Sequence, residues 1–410
     1  MTTGTKASFG LRTTQAVFAT LFMAFLLAPT AQEHLRILSY QPVVENRLRE
    51  PKPSGVLGIF DSSSGYAHKY ETYYNDSYGL RDLFIKLKNQ LDLWLFRTSD
   101  EVLIGDDGWI FYRKLYERDM VKLERSISQV PRVVERLLAL NSMLKARGVT
   151  LVVVPCPAKT TVYRELVPAA YPVPADQTAF QQYRKLLRAH PELATVDVQG
   201  ILESLKPRMR VYHKTDFHWT DPAGAVVWKE LHKLLAQRAG LSAPLYDRVT
   251  IAKKHGSTGG EVNSLAVFYP PTETALNLKV PLTKPDGTME YSKTPNRWDY
   301  LAADPGWPGL LPPTVLLGDS FADAFLRAGF AGAFSRLSKF PHQDFAGALS
   351  SLPDGPSFFI LEHIESALLG MTLDQWWPPQ LKEIVVSVPA GPSGQTQREQ
   401  SQSGPERRST

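Results

Sequence analysis

Apolar residues along this chain either return every three or four positions or gather in short unbroken runs, and the two patterns alternate. Between 66 and 97, Leu80, Leu83, Phe84, Leu87, Leu91 and Leu95 stand at helical spacing, which predicts a helix. GDDGWIFY (105–112) reads as a tight turn running into a strand, because Asp-Gly supplies a positive φ. An amphipathic helix over 121–147 ends at Gly148, and TLVVVP (150–155) follows as a continuous apolar run, the mark of a strand buried on both faces. The pattern repeats. A helix at 177–189 leads to ATVDV (194–198), and VYHKTDFHWT (211–220), read as ending a strand, leads to a helix at 221–238. TVLLG (314–318) precedes a helix starting near Ser320, and SFFILE (357–362) follows a helix around 343–350. Such alternation predicts an α/β fold, a parallel sheet with helices on both faces. Residues 241–312 are Pro- and Gly-rich with little periodicity, and read as an insertion or lid bearing short strands.

The ends differ from the middle. The apolar run 16–31 is preceded by Lys6 and Arg12 and by no acidic residue, the pattern of a secretory signal. Two readings stay open, an uncleaved signal anchor and a cleaved signal peptide; a buried core helix is a third. The run is short against the ~20 residues of a full span, and cleavage after Ala31 would put Pro29 at the −3 place. With the positive flank inside, the rest of the chain lies outside the cytoplasm. Residues 33–60 look extended and Pro-punctuated, and the polar, Gly/Ser/Gln-rich 390–410 reads as a disordered tail. The expected organisation is a signal anchor or signal peptide at 1–32, one domain over 33–389 with an insertion at about 241–312, and the tail.

Composition narrows the classes. A 43% hydrophobic, 21% charged chain of 410 residues is not disordered as a whole. A single Cys excludes an intramolecular disulfide framework and a cysteine zinc cluster. The net charge of +5 comes without a basic block, so nothing points to nucleic acid. The nine His show no HxxxH or HExxH spacing, so no metal is expected, and no motif calls for a cofactor.

Two short motifs carry chemistry. In Gly318-Asp319-Ser320-Phe321 a Ser follows an apolar run and opens a helical pattern. A hydroxyl there sits at the carboxyl end of a strand, where α/β folds place functional groups, with backbone N–H groups nearby to stabilise an oxyanion. The plain alternative is a helix N-cap. In Asp216-Phe217-His218-Trp219 a His, the usual base for a Ser hydroxyl, has an Asp two residues before it that can orient its other nitrogen. Both can instead cap the helix beginning near Asp221-Pro222, but Thr220 or Asp221 would do that equally well, which leaves Asp216 unexplained. Weaker candidates are Cys156, an inert buried thiol or a nucleophile, and Lys159 and Arg81, groove-lining or structural cations. Trp298, Trp307, Trp376 and Trp377 are ligand-stacking or packing rings, and Asn263 is conceivable as an oxyanion donor on residue type alone. Trp219 reads as a packing residue that fixes its loop.

These pieces, with ENR (Glu45 to Arg47), YGLRD (Tyr78 to Asp82), IGDDGWIFY (Ile104 to Tyr112), PCPAKTTVY (Pro155 to Tyr163), KTDFHWT (Lys214 to Thr220) and LLGDSF (Leu316 to Phe321), resemble the alginate O-acetyltransferase family of AlgJ and AlgX type, over roughly residues 42–370. The resemblance implies an SGNH hydrolase-like three-layer fold with a permuted element order, in which the Asp–His pair precedes the Ser. It implies Ser320 as nucleophile, His218 as base and Asp216 as its partner. It further implies a periplasmic enzyme that acetylates a secreted exopolysaccharide, supplied by a membrane-bound O-acyltransferase and working beside other exopolysaccharide secretion proteins. No carbohydrate-binding module is recognised after Pro389, which favours the membrane-anchored AlgJ type. A polysaccharide acetyl esterase and a non-catalytic polysaccharide-binding scaffold are the alternatives on the same residues.

Overall fold

The computed structural model describes residues 4–40, 42–43, 48–54, 65–241, 250–257, 259–279, 289–294, 296–302, 305–306 and 309–382. Trp307, part of the 33–60 segment and the 390–410 tail lie outside them.

Among the described residues, eleven strands form three sheets. Strands β1 (Val102–Ile104) and β2 (Ile110–Tyr112) make a hairpin around the GDDG turn. The central sheet takes β3 (Val149–Cys156) and β4 (Ala194–Thr195); β5 (Thr250–Ser257) and β6 (Glu273–Lys279) pair apart from it. It is completed by β7 (Met289–Thr294), β8 (Arg297–Ala302), β9 (Thr314–Leu317), β10 (Arg336–Phe340) and β11 (Ser357–Ile364), in the order β4-β3-β11-β9-β10-β8-β7. The first five strands of that order run parallel; β8 and β7 add an antiparallel edge. The 241–312 segment therefore supplies a separate hairpin and also extends the sheet.

Strands β3, β9 and β11 are buried on both faces, as their apolar runs predict. Along β3, Leu151 and Val153 face one core with Leu137, Leu140, Leu144, Phe180 and Phe359. Val152, Val154 and Cys156 face the other, with Trp219, Val227, Leu231, Phe321 and Phe325. Burying each such side chain contributes ~1.5–3 kcal/mol. The helix Val130–Lys145 starts later than the pattern predicts, at a Pro in its first turn. Asp221–Ala239 is capped by the Thr220 side chain.

Three expectations need correction. The segment 211–220 is not a strand of the sheet; it is a tight loop closed by an antiparallel bridge between Tyr212 and Trp219. ATVDV is strand for two residues only, because Asp197 accepts the Gly200 N–H and starts the helix Val198–Leu205. The single helix expected over 66–97 is broken into Tyr66–Ser77 and Arg81–Leu91, followed by a wider turn at Asp92–Phe96. The break lies at Gly79, whose bare Cα presses on the N-terminal helix: a Cβ there would sit 2.3 Å from both Pro29 O and Glu33 N. That N-terminal helix, Gly4–Leu35, contains a 23-residue stretch, Thr13–Leu35, long and apolar enough to cross a membrane.

Candidate active site

The carboxyl ends of β9, β10 and β11 lie side by side, and Ser320 stands three residues beyond β9. The turn that carries it is fixed from below. Asp319 accepts the Phe321 N–H through Oδ1 (2.8 Å) and the Ile364 N–H through Oδ2 (3.1 Å), and its own N–H donates to Glu362 Oε2 (2.9 Å). Glu362 is fully buried, and burial together with the neighbouring Asp319 charge pushes its carboxyl well above the usual range. His342 donates to the Glu362 carbonyl at 2.6 Å. Asp319, His342 and Glu362 bring ligand-capable atoms within 4.8 Å of one another, but each is already engaged in holding this turn.

The 211–220 loop reaches Ser320 from the other side. His218 Nδ1 is 2.6 Å from Asp216 Oδ1, and His218 Nε2 is 2.6 Å from Ser320 Oγ. An ionised carboxylate only accepts, so Nδ1 carries the hydrogen and the Nε2 lone pair faces the hydroxyl. Asp216 also accepts the backbone N–H of His218 (2.9 Å) and of Gly260 (2.8 Å). Burial works against its charge, but these bonds and the His218 ring hold the carboxyl well below the ordinary carboxylate range. It stays ionised at any working pH. Trp219, buried, ties the two loops by donating from Nε1 to the Phe321 carbonyl (3.2 Å).

Two residues outside both motifs shape the loop. Lys159 is buried, and its Nζ donates to the carbonyls of Ile110 (2.5 Å), Lys214 (2.9 Å) and Asp216 (3.1 Å) while lying over the Trp109 and Phe111 rings. It is a clamp on the loop, and the cavity over Ser320 does not include it among its walls. Glu273 on β6 accepts the N–H of Lys214 (3.0 Å), and the N–H (2.8 Å) and hydroxyl (2.6 Å) of Thr215, and pairs with Arg210 (2.9 Å). Against the pull of burial, bonds from His213 and Thr215 lower its pKa to about 2. The sequence offered no signal for Glu273, which lies in the segment without periodicity.

A cavity of ≈ 260 Å³ opens over Ser320, walled by His213, Asp216, His218, Glu273, Asp323 and Arg327. Arg327, half exposed, is steadied by Asp221 Oδ1 at 2.7 and 2.9 Å. Of the backbone amides on the turn around Ser320, those of Asp319 and Phe321 are bonded to carboxylates, and that of Ser320 has no acceptor among the described residues.

The other candidates fall elsewhere. Arg81 bonds the Asn75 carbonyl and Asp82, away from the cavity walls. Trp298 lies on β8, with the ammonium groups of Lys293 and Lys339 each 5.4 Å from its ring centre. Trp377 is buried and Trp376 packs against it and Phe345. Asn263 is exposed on the short helix Gly260–Ser264 and does not wall the cavity. Cys156 is fully buried, its thiol 3.3 Å from Glu362 Oε1, and burial pushes its pKa well up, so it presents no thiolate.

A Ser, a His and an Asp joined by hydrogen bonds thus stand at the carboxyl edge of a largely parallel α/β sheet, an arrangement in which a serine hydroxyl can be activated. The family model described as SGNH hydrolase-like domain, acetyltransferase AlgX, matches residues 102–340, more than half of the chain, and the protein belongs to that family. Among curated relatives, the probable alginate O-acetylase AlgJ of Pseudomonas syringae pv. tomato is 25% identical over 280 residues, covering 68% of this chain and 65% of the relative. That of Pseudomonas fluorescens is 26% identical over 216 residues, covering 52% and 54%. The chain thus spans between half and two thirds of the length of these relatives. Among solved structures, the O-acetyltransferase domain of Pseudomonas putida AlgJ is 18% identical with a TM-score of 0.46, covering 68% of this chain and 98% of that one. Bacillus cereus PatB1 is 14% identical with a TM-score of 0.47, covering 67% and 99%.

Proposed function

We propose that this protein is an O-acetyltransferase that carries an acetyl group on Ser320 to hydroxyls of a secreted polysaccharide. The observation that carries the reading is the unbroken chain Asp216–His218–Ser320 at the floor of an open, polar-walled cavity. His218 Nε2 takes the Ser320 proton as Oγ attacks the acetyl carbonyl. Asp216 stabilises the imidazolium that forms. The Ser320 N–H, not engaged within the turn, is a backbone donor for the tetrahedral oxyanion. His218 returns the proton to the departing donor group, which leaves acetyl-Ser320. His218 then takes the proton of a sugar hydroxyl as that oxygen attacks the acetyl carbonyl, and returns it to Ser320 Oγ as the bond between Oγ and the acetyl carbon breaks.

The N-terminal helix, acting as a signal anchor, holds residues 33–389 in the periplasm as one catalytic domain with an insertion at about 241–312. The acetyl group is delivered there by a membrane-bound O-acyltransferase, and other exopolysaccharide secretion proteins supply the acceptor. The names of the curated relatives, alginate O-acetylases, support this chemistry and leave the acceptor sugar to be found. The test follows ester consumption and mass gain on the sugar together, with the full chain, a chromogenic acetyl ester and a panel of bacterial oligosaccharides. Acetylated sugar from wild type and none from Ser320→Ala is expected. Acetate release with no sugar acetylated by any member of the panel would replace transfer by hydrolysis. Equal inertness of wild type and variant would remove the role of Ser320.

A further inference from the structure

The helix Arg81–Leu91 is inverted. The residues it turns toward the protein are Asp82, Lys86 and Gln90, four apart and all buried. Asp82 accepts from Arg49 (2.8 Å) and from the Val43 N–H (3.1 Å), and Gln90 accepts the Tyr269 N–H (2.9 Å), so the polar face is bonded inward. The apolar stripe faces out: Phe84, Leu87, Leu91 and Leu95 are 36%, 46%, 43% and 66% exposed. Trp94 and Phe96 in the following turn extend it, and Phe268 and Tyr269 join from another part of the chain, the Tyr269 ring stacked on Trp94 at 5.9 Å. A helix in water shows the opposite arrangement, and a contiguous apolar patch of this kind marks an interaction surface.

The patch is continuous with the N-terminal helix. The Phe25 and Phe84 rings lie 6.5 Å apart, Gly79 packs on Pro29 and Glu33, and Tyr73 Oη donates to Glu33 Oε1 (3.3 Å). Most of the large apolar side chains exposed among the described residues belong to one or other of these two surfaces.

We propose that this face docks on the lipid bilayer. The segment 81–96 lies in the membrane interface beside the Gly4–Leu35 helix, with Leu87, Leu91, Leu95 and Phe96 in the acyl boundary and the Trp94–Tyr269 pair at headgroup level. The acidic groups bordering it, Asp92, Asp100 and Glu101, are paired with Lys88 and Lys114, so the contact is apolar and insensitive to salt. Two attachments, a span and an interfacial face, fix the orientation of the domain and the height of its cavity above the membrane. The proposal rests on the N-terminal helix being a retained anchor.

The test uses the full chain with Cys156→Ser, carrying one new cysteine bearing an environment-sensitive fluorophore, at Leu95, at Val17 in the N-terminal helix, or at Leu373 as an exposed control. Each is reconstituted in phosphatidylcholine–phosphatidylglycerol vesicles containing spin-labelled lipid. Loss of fluorescence at positions 95 and 17, unchanged by high salt, with none at 373, is expected. Quenching at 17 without quenching at 95 would overturn the docking face and leave the anchor standing. No quenching at 17 would overturn both. A label at 95 that lipid does not reach in vesicles, but that is buried in native membranes, would assign the face to a membrane protein instead. Turnover of the chromogenic ester checks that each labelled chain is folded; Leu91→Cys replaces Leu95→Cys if that variant fails.

Discussion

Replacing Lys159 by Met separates two roles that the sequence left open, contact with substrate and support of the Asp216 loop. Met keeps the length and apolar stem and removes the ammonium. Three carbonyls, those of Ile110, Lys214 and Asp216, then lose a charged donor in a buried place. Hydrogen bonds to charged groups contribute ~1.5–3 kcal/mol each. The variant also escapes the cost of burying an ammonium, several kcal/mol, so the net loss should be about 3 kcal/mol. At roughly 2 °C per kcal/mol for a domain of this size, that is about 6 °C in Tm. The freed loop carries both Asp216 and His218, and a misplacement of ~1 Å costs about 100-fold in rate. Expected, then, are a lower Tm by thermal unfolding and a drop in kcat for the chromogenic ester with KM little changed. A variant with unaltered Tm and kcat but raised KM would refute the clamp and make Lys159 a substrate contact.

Other consequences are equally measurable. Asp216→Asn removes the charge that stabilises the imidazolium and turns one accepting oxygen into a donor, so the His218 tautomer is no longer fixed, and kcat should fall about 10³–10⁴-fold with the fold intact by circular dichroism. Gly259→Ala places a Cβ 2.2 Å from Thr215 O and 2.5 Å from Asp216 Cβ, so the loop must shift, and kcat should drop about 100-fold; unchanged kinetics would show that the loop position is not critical. Iodoacetamide should leave the native enzyme active and modify Cys156 only after unfolding, since the thiol is fully buried. Burial pushes the Glu365 carboxyl up to about 7, against ~4.3 in the unfolded chain. The folded state holds that proton more tightly, so its contribution is complete below ~4.3 and stability falls as pH rises through about 7. Urea midpoints across that range should decline for wild type and decline less for Glu365→Gln.

Much of the fold is legible in the residues. The runs at Val149–Cys156, Thr314–Leu317 and Ser357–Ile364 are buried on both faces, and only the interior of a parallel sheet accepts such runs. Asp216, His218 and Ser320 announce themselves by residue type and by the elements around them, and in space they form one hydrogen-bonded chain. The departures have local causes. The segment before Asp216 looks like a strand by composition, but its polar groups are satisfied by Lys159 and Glu273 and it never joins the sheet.

The sequence alone determined the alternating layers, the apolar N-terminal helix and the residue types able to activate a hydroxyl, because these depend on period and composition, which are local. Tertiary structure decided what those elements face. Lys159 reaches carbonyls about fifty residues away on either side, and Glu273 braces the loop from a segment with no pattern of its own. In Arg81–Leu91 periodicity marks an apolar stripe correctly, but period cannot say which medium the stripe meets. That is set by the partners of Asp82 and Gln90, which draw the polar face inward and leave the leucines outside.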